Sequence, residues 1–190
     1  MNVVTAAEGV RKVRALYESL RGDVAFLRQA PPADPVLSAE IATVLAGEAR
    51  LLDTRAFDRW LALWDPDACY WVPLSADGDP EHDQALFLDD YRRLTERIWR
   101  MGDTSAWALV PYGDAVRVIG SVEAWAGEAD GEVFASSTLT IQYTRMQSLF
   151  VTSGRQIHRL RRKDNTWRLS RKILLLPAQA GGTPHLGWLL

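Results

Sequence analysis

The chain has 190 residues, 47% of them hydrophobic and 24% charged, with a net charge of −2 and a single cysteine, Cys69. That is the composition of a soluble globular domain large enough for a sizeable core. It excludes a disulfide framework, gives no global pull toward nucleic acid or anionic membrane, and holds no apolar run near the ~20 residues that span a bilayer.

Thr5 and Glu8 have the spacing of a capping box, and Val10, Val13, Tyr17 and Leu20 then fall on one helical stripe. No apolar secretory core lies between Met1 and Leu20, so a cytoplasmic location is expected. Pro31, Pro32 and Pro35 read as a linker, so 1–33 is expected to be a helical extension and 34–190 a single domain. Asp34 and Pro35 supply an N-cap and N1 pair for a second helix. In it Ile41, Val44, Leu45 and Leu52 share a face, and Glu48 lies on the same face. A carboxylate there is expected to pair with an arginine or to have a raised pKa.

Asp53 or Thr54 can cap a third helix, in which Phe57, Trp60, Leu61 and Trp64 point inward until Asp65-Pro66-Asp67 ends it. Ala68 to Pro73 reads as a strand with Tyr70 and Val72 on one face and Cys69 and Trp71 on the other. Ser75 to Asp83 is a loop. Phe87 to Met101 reads as a helix with Phe87, Tyr91, Leu94, Ile98 and Met101 buried, Asp89–Arg93 and Glu96–Arg100 paired on its wet side, and Gly102 at its end. Trp60, Trp64, Trp99 and Trp107 are expected in the core.

Beyond that the period switches from 3.6 to 2. Val116, Val118, Gly120 and Val122 alternate with polar residues, as do Leu139, Ile141 and Tyr143. Trp167, Leu169, Arg171, Ile173 and Leu175 alternate with Arg168, Ser170 and Lys172. Asp130-Gly131 and Asp164-Asn165 mark hairpins. Helices first and a long antiparallel sheet after them read as α+β, with a curved sheet packed round helices.

Charge divides along the chain. Residues 34–103 hold fifteen acids and seven bases, whereas 155–172 hold eight bases and one acid, Asp164. Solvated strand faces, or an acid-to-base contact between subunits, account for this; no aromatic stacking platform points to nucleic acid.

The order Glu48, Leu51-Leu52-Asp53, Arg55, Phe57-Asp58, Trp60-Leu61, Tyr70-Trp71, Pro73 resembles the small (β) subunit of Rieske aromatic-ring-hydroxylating oxygenases. Asp89-Asp90-Tyr91, Leu94, Arg97, Arg100 and Trp107 follow that pattern, as do Trp167-Arg168-Leu169, Arg171-Lys172-Ile173 and the apolar end Leu186 to Leu190 with Trp188. The resemblance covers about 38–190. It departs from the family at Ala108 to Arg117, where Pro111 is kept and Arg117 replaces an expected histidine. It implies the cone-shaped nuclear transport factor 2-like fold, with N-terminal helices on a mainly antiparallel sheet. It also implies a non-catalytic subunit that trimerises and carries three large subunits. Those partners would hold the Rieske [2Fe–2S] cluster and mononuclear iron, and this chain no cofactor. Asp53, Arg55, Trp60, Tyr70, Trp71, Pro73, Asp90, Tyr91, Arg97, Arg171, Trp188 and Leu190 are the family-motif and interface residues so implied. Deleting 186–190 is expected to weaken assembly.

The residues agree on the missing ligands. A Rieske centre needs two cysteines and two histidines, and a mononuclear iron two histidines and a carboxylate. One cysteine is present, and His82, His158 and His185 fall in a loop, a strand and a tail. The alternative is a free-standing cone enzyme, an isomerase or dehydratase on a small hydrophobic ligand, or a small-ligand-binding module. Its general base would come from Glu48, Asp53, Tyr70, Tyr91 or His158, with Glu48 foremost because of its apolar stripe. Glu48→Gln is expected to leave a purely structural protein folded.

Overall fold

The computed structural model describes residues 6–102 and 113–177. In chain order these form α1 (Ala6–Arg28), α2 (Pro35–Asp53), α3 (Phe57–Leu61), β1 (Trp64–Pro73), β2 (Ala85–Asp90), α4 (Tyr91–Gly102), β3 (Asp114–Ala126), β4 (Glu132–Arg145), β5 (Ser148–Lys163) and β6 (Thr166–Leu175). The six strands make one sheet in the order β2-β1-β6-β5-β4-β3. Every pairing is antiparallel except β1 with β6. The architecture is the α+β cone. No helix among the described residues is long and apolar enough to cross a membrane. Thr5, Trp107, the departure at 108–112, His185, Trp188 and Leu190 lie outside the described residues.

The sheet has two apolar faces. The inner one closes on α2, α3 and α4 through Ile41, Leu45, Trp60, Tyr70, Leu94, Leu139, Ile141 and Leu160. The outer one is covered in part by α1, where Leu20 packs with Trp71, Trp125, Phe134, Ile157 and Ile173. Tyr70 and Val72 face in, and Cys69 and Trp71 face out, as the strand alternation requires. On α1 only part of the expected stripe is used. Leu20 is buried and Tyr17 half-buried, but Val10 and Val13 are exposed.

Asp34 caps α2, its carboxylate accepting from the Val36 and Leu37 amides, with Pro35 at the first helical position. The other end of α2 overturns one expectation. Asp53 and Thr54 do not start a helix; they finish α2. The Arg55 amide donates to the Leu52 carbonyl at 3.1 Å and the Ala56 amide to the Leu51 carbonyl at 2.8 Å, the double bond of a Schellman motif. Arg55 holds the left-handed position, φ 55°, where glycine is usual. Its guanidinium bonds to the Gly113 carbonyl and Asp114. What remains for α3 is five residues, and Trp64-Asp65-Pro66-Asp67 belongs to β1.

The expected helix from Phe87 is likewise corrected. Residues 85–90 pair with β1 and form β2, so α4 begins only at Tyr91, capped by Asp90 on the Arg93 amide at 2.8 Å. Asp89 therefore reaches Arg97 at 2.6 Å instead of Arg93, and Glu96 pairs with Arg92 instead of Arg100. Trp99, expected in the core, is 67% exposed.

Two β-bulges change which face the later strands present. Between Gly120 and Glu123, β3 carries one residue more than β4, with Ser121 at φ 47°. Before the bulge Ala115 and Ile119 pack inward, and Val116 and Val118 stand exposed on the outer face; after it Val122 and Ala124 pack inward. Between Leu169 and Arg171, β6 carries one residue more than β5. Leu169 thus packs inward while Arg171 and Ile173 face out, and Lys172 faces in.

Several arginines of the basic stretch pair with acids inside the chain, while Arg161, Arg162 and Lys163 stay exposed on the strand faces. Arg159 reaches Asp23 at 2.7 Å and Glu132 at 3.2 Å. Arg161 reaches Asp67, Arg162 reaches Glu40, and Arg171 reaches Asp23. Asp65, Asp67, Glu40 and Glu48 of the acid-rich segment meet Arg161, Arg162 and Lys172 of the base-rich one, so the two pair in part within the chain.

Candidate functional site

The chemistry-bearing side chains converge inside the cone. Glu48 sits one turn before the end of α2, on its apolar face, and is 2% exposed. Its Oε1 accepts from Trp60 Nε1 at 3.0 Å and from Lys172 Nζ at 2.8 Å. His158 Nε2 stands 3.8 Å from Oε2. His158 and Lys172 are cross-strand neighbours on β5 and β6, both essentially without solvent contact. The Tyr70 ring lies 5.8 Å from Lys172 Nζ.

Burial opposes the charge on Glu48, but Lys172, His158 and the two donated hydrogen bonds outweigh it and hold the carboxyl below its ordinary value. The expected arginine is a lysine, and the expected upward shift runs the other way. Burial draws the Lys172 pKa down, with Glu48 opposing. Burial also pushes His158 down to about 4, so the imidazole is neutral at pH 7. Neither of its ring nitrogens has a hydrogen-bond partner among the described residues. Tyr70 is pushed up by burial and then by Glu48.

This arrangement favours a fixed ion pair over proton transfer. A general base needs a proton-accepting oxygen in reach of a ligand and a pKa matched to its task. Glu48 is ionised and engaged by two donors. One cleft, about 440 Å³, lies between α1, β1, β2 and α4, and another of about 240 Å³ lies by the β4–β5 turn; Glu48 lines neither. Its local effect is to join α2 to β5 and β6.

The other candidates stand apart. Asp53 accepts from the Arg117 amide at 3.1 Å and from its guanidinium at 2.6 Å, tying the end of α2 to β3. Tyr91 opens α4 and is half-buried. Trp60, Tyr70 and Trp71 are buried, Arg97 is engaged by Asp89, and Arg171 by Asp23 and Ser19. Pro73 closes β1. His82 is 73% exposed beside Asp79. Lys172 is the functional partner that sequence reasoning missed. Its only signal was its place within an apolar-flanked strand, and the β6 bulge reversed that signal's phase.

No group of three or more histidine, cysteine or acidic side chains among the described residues is placed to hold a metal. The donor set does not fit a Rieske cluster, since the one cysteine is buried and its thiol is pushed up to about 12 by burial.

Comparison with known proteins adds the following. Residues 47–180 match the family model described as ring hydroxylating beta subunit. The chain is 30% identical over 147 residues to the benzene 1,2-dioxygenase subunit beta of Pseudomonas putida, covering 72% of this chain and 79% of that one. It is 31% identical over 149 residues to the small oxygenase component of a p-cumate 2,3-dioxygenase system from the same species, covering 76% and 82%. Its fold is similar to that of a naphthalene 1,2-dioxygenase chain, with a TM-score of 0.76 at 21% identity over 87% of this chain and 92% of that one. The beta subunit of a benzoate 1,2-dioxygenase from Burkholderia mallei gives 0.66 at 19% identity, over 84% and 99%.

Proposed function

The chain belongs to the ring-hydroxylating beta-subunit family, and from that premise we propose that it is the structural small subunit of a Rieske non-haem iron oxygenase acting on aromatic compounds in the cytoplasm. It carries no cofactor. The large subunit supplies the [2Fe–2S] cluster and the mononuclear iron, and those residues, not these, do the redox chemistry. This chain contributes a rigid platform that holds large subunits together and stabilises them by association.

The observation that carries the reading is the Glu48–Lys172 pair. Glu48, a carboxylate packed among the inner-face residues where a cone enzyme would keep its base, is bound at 2.8 Å by an equally buried ammonium. The bond ties α2 to β6 and keeps the carboxylate ionised and engaged. The chain self-associates, as a trimer carrying three large subunits; an uncovered part of the outer sheet face supports the self-association. There Val116, Val118, Leu149 and Val151 are each more than half exposed, aligned across β3, β4 and β5 through Gln142, Thr140 and Thr144. An exposed apolar patch of this kind marks an association surface. We assign it to contacts between copies of this chain.

The test is purification of the tagged full chain from its native host, with mass and iron analysis of what accompanies it. A complex with a larger iron–sulfur protein is expected. A metal-free homo-oligomer with no partner would sink the proposal and return attention to the cone interior.

A further inference from the structure

Ion pairs hold α1 from two sides. On one, the fully buried Asp23 meets Arg159 and Arg171 of the sheet. On the other, Arg14, Arg21 and Arg28 meet the loop between β1 and β2. Arg21 donates to both carboxylate oxygens of Asp79, at 2.8 and 2.9 Å, and stands 3.8 Å from Glu81. Arg14 reaches Glu81 at 3.8 Å, and Arg28 bonds to Asp77. The spacing is regular. The arginines lie seven residues apart, on one stripe of the helix at intervals of about 10.5 Å. The acids are alternate loop residues, about 6–7 Å apart where the chain is extended, and run in the opposite direction. Flexible arginine side chains span the difference. Pro80, between two of the acids, is buried. Asp79 is fixed within the loop, its carboxylate accepting from the Glu81 amide and its own amide donating to Asp83.

The two attachments differ in kind. The six side chains on the loop side are each at least 31% exposed, whereas Asp23 has no solvent contact. Exposed pairs are individually weak and screened by salt, and buried ones are screened much less. Packing is uneven too. Leu20, Val24, Phe26 and Leu27, in the second half of α1, join the outer-face cluster, and Phe26 meets Trp125 and Phe134 edge-on. Beside the first half lies the cleft of about 440 Å³, with Val13, Leu16 and Tyr17 on the helix side and Ala68, Cys69 and Leu88 on the sheet side. Leu16 and Tyr17 are only half-buried there. The first half of α1 thus depends on Arg14 and Arg21 more than on apolar contact.

We propose that residues 77–81 are an ionic strap that seats the first half of α1 and releases it as ionic strength rises, so that this half lifts as a lid over the cleft. Asp23 and Phe26 mark the fixed end. Local opening follows the weakest contacts, so it stops where the Leu20 cluster and the buried Asp23 pairs begin. Lifting the lid uncovers Cys69, which is 4% exposed with the helix seated and is the one cysteine of the chain. Every group in the device belongs to this chain, so it stands apart from the subunit reading above.

Cys69 supplies the readout. The full chain is labelled with iodoacetamide, an uncharged reagent, in about 0.05 M and about 0.5 M NaCl, and the rate of thiol modification is followed by mass. Wild type should label about tenfold faster at the higher salt. The triple variant Arg14→Gln, Arg21→Gln, Arg28→Gln should label at the fast rate in both. Lys12→Gln, which removes a charge paired with Glu8 on α1 itself, should behave as wild type. Hydrogen exchange should quicken with salt in residues 10–18 and not in 23–27. A wild-type rate that salt leaves unchanged overturns the strap, and this arm stands even if the triple variant fails to fold. A triple variant that labels as slowly as wild type, or keeps the salt dependence, overturns it as well. So does a rate that rises only in step with global unfolding, read from melting curves at the two salt concentrations.

Discussion

Lys172 Nζ lies 2.8 Å from Glu48 Oε1, across 124 residues of sequence, with both side chains at most 2% exposed. A buried pair of this kind is weak evidence for net stability but strong evidence for sensitivity to removal of one partner. Glu48→Gln, which the sequence alone would class as tolerated, leaves Lys172 charged in the core. It is expected to cost about 3–5 kcal/mol in urea unfolding. The double variant Glu48→Met, Lys172→Met should recover most of that loss. Equal stability of Glu48→Gln and wild type would show that the pair is not formed.

His158 sets a pH dependence. Its folded pKa, about 4, lies below the ordinary 6.5, so the unfolded chain binds more protons between those values. Stability therefore rises with pH across that window and is lost as pH falls from 6.5 toward 4. The size is on the order of 3 kcal/mol. Glu48, with its lowered pKa, acts in the same sense below its ordinary 4.5. His158→Gln should flatten the slope between pH 6.5 and 4.5 in denaturant titrations, and an unaltered slope would assign it to other groups.

Asp23 anchors α1. It is fully buried and meets Arg159 at 2.7 Å and Arg171 at 2.5 Å. Asp23→Asn leaves two guanidiniums half-satisfied beneath the helix and is expected to cost about 3 kcal/mol. Local opening of α1 should precede global unfolding. Faster hydrogen exchange in residues 16–27, with the β4 core unchanged, is the measurement.

Gly113→Ala tests a close approach. An added Cβ would lie 2.3 Å from the Thr144 carbonyl oxygen and 2.6 Å from Tyr143 Cζ. The clash would break the bond from the Gly113 amide to Tyr143 Oη and is expected to cost about 1–3 kcal/mol. Thermal melting reads it directly.

Val116→Asp with Val151→Asp places carboxylates on the uncovered part of the outer sheet face. Both sites are exposed, so the fold should hold to within about 0.5 kcal/mol per site. Self-association should weaken, and light scattering after size exclusion should report a smaller species. An unchanged mass would place the contact between copies elsewhere.

Local patterning determined a good deal. The Asp34-Pro35 cap, the inward stripe of α2 with Glu48 on it, the alternation of β1 and β4, and the hairpins at Asp130-Gly131 and Asp164-Asn165 are short-range matters of period, capping and φ. Each is satisfied as the residues alone require. The blocks from Glu48 to Pro73 and from Asp89 to Arg97 carried the family. The later comparisons bear that out, because a family's order of residue types survives in sequence even where no one element is distinctive.

Only tertiary structure decided the rest. Residues 85–90 have a helical pattern, yet pairing with β1 makes them a strand, since an edge partner outweighs a weak local preference. Arg55 ends α2 in a conformation that sequence assigns to glycine, held by Gly113 and Asp114 from far along the chain. The bulges in β3 and β6 each add one residue, and one residue reverses which side chains face the core. That reversal exposes Val116 and Val118 and turns Lys172 inward onto Glu48. Period alone shows that a strand alternates; where its phase changes depends on the strand beside it.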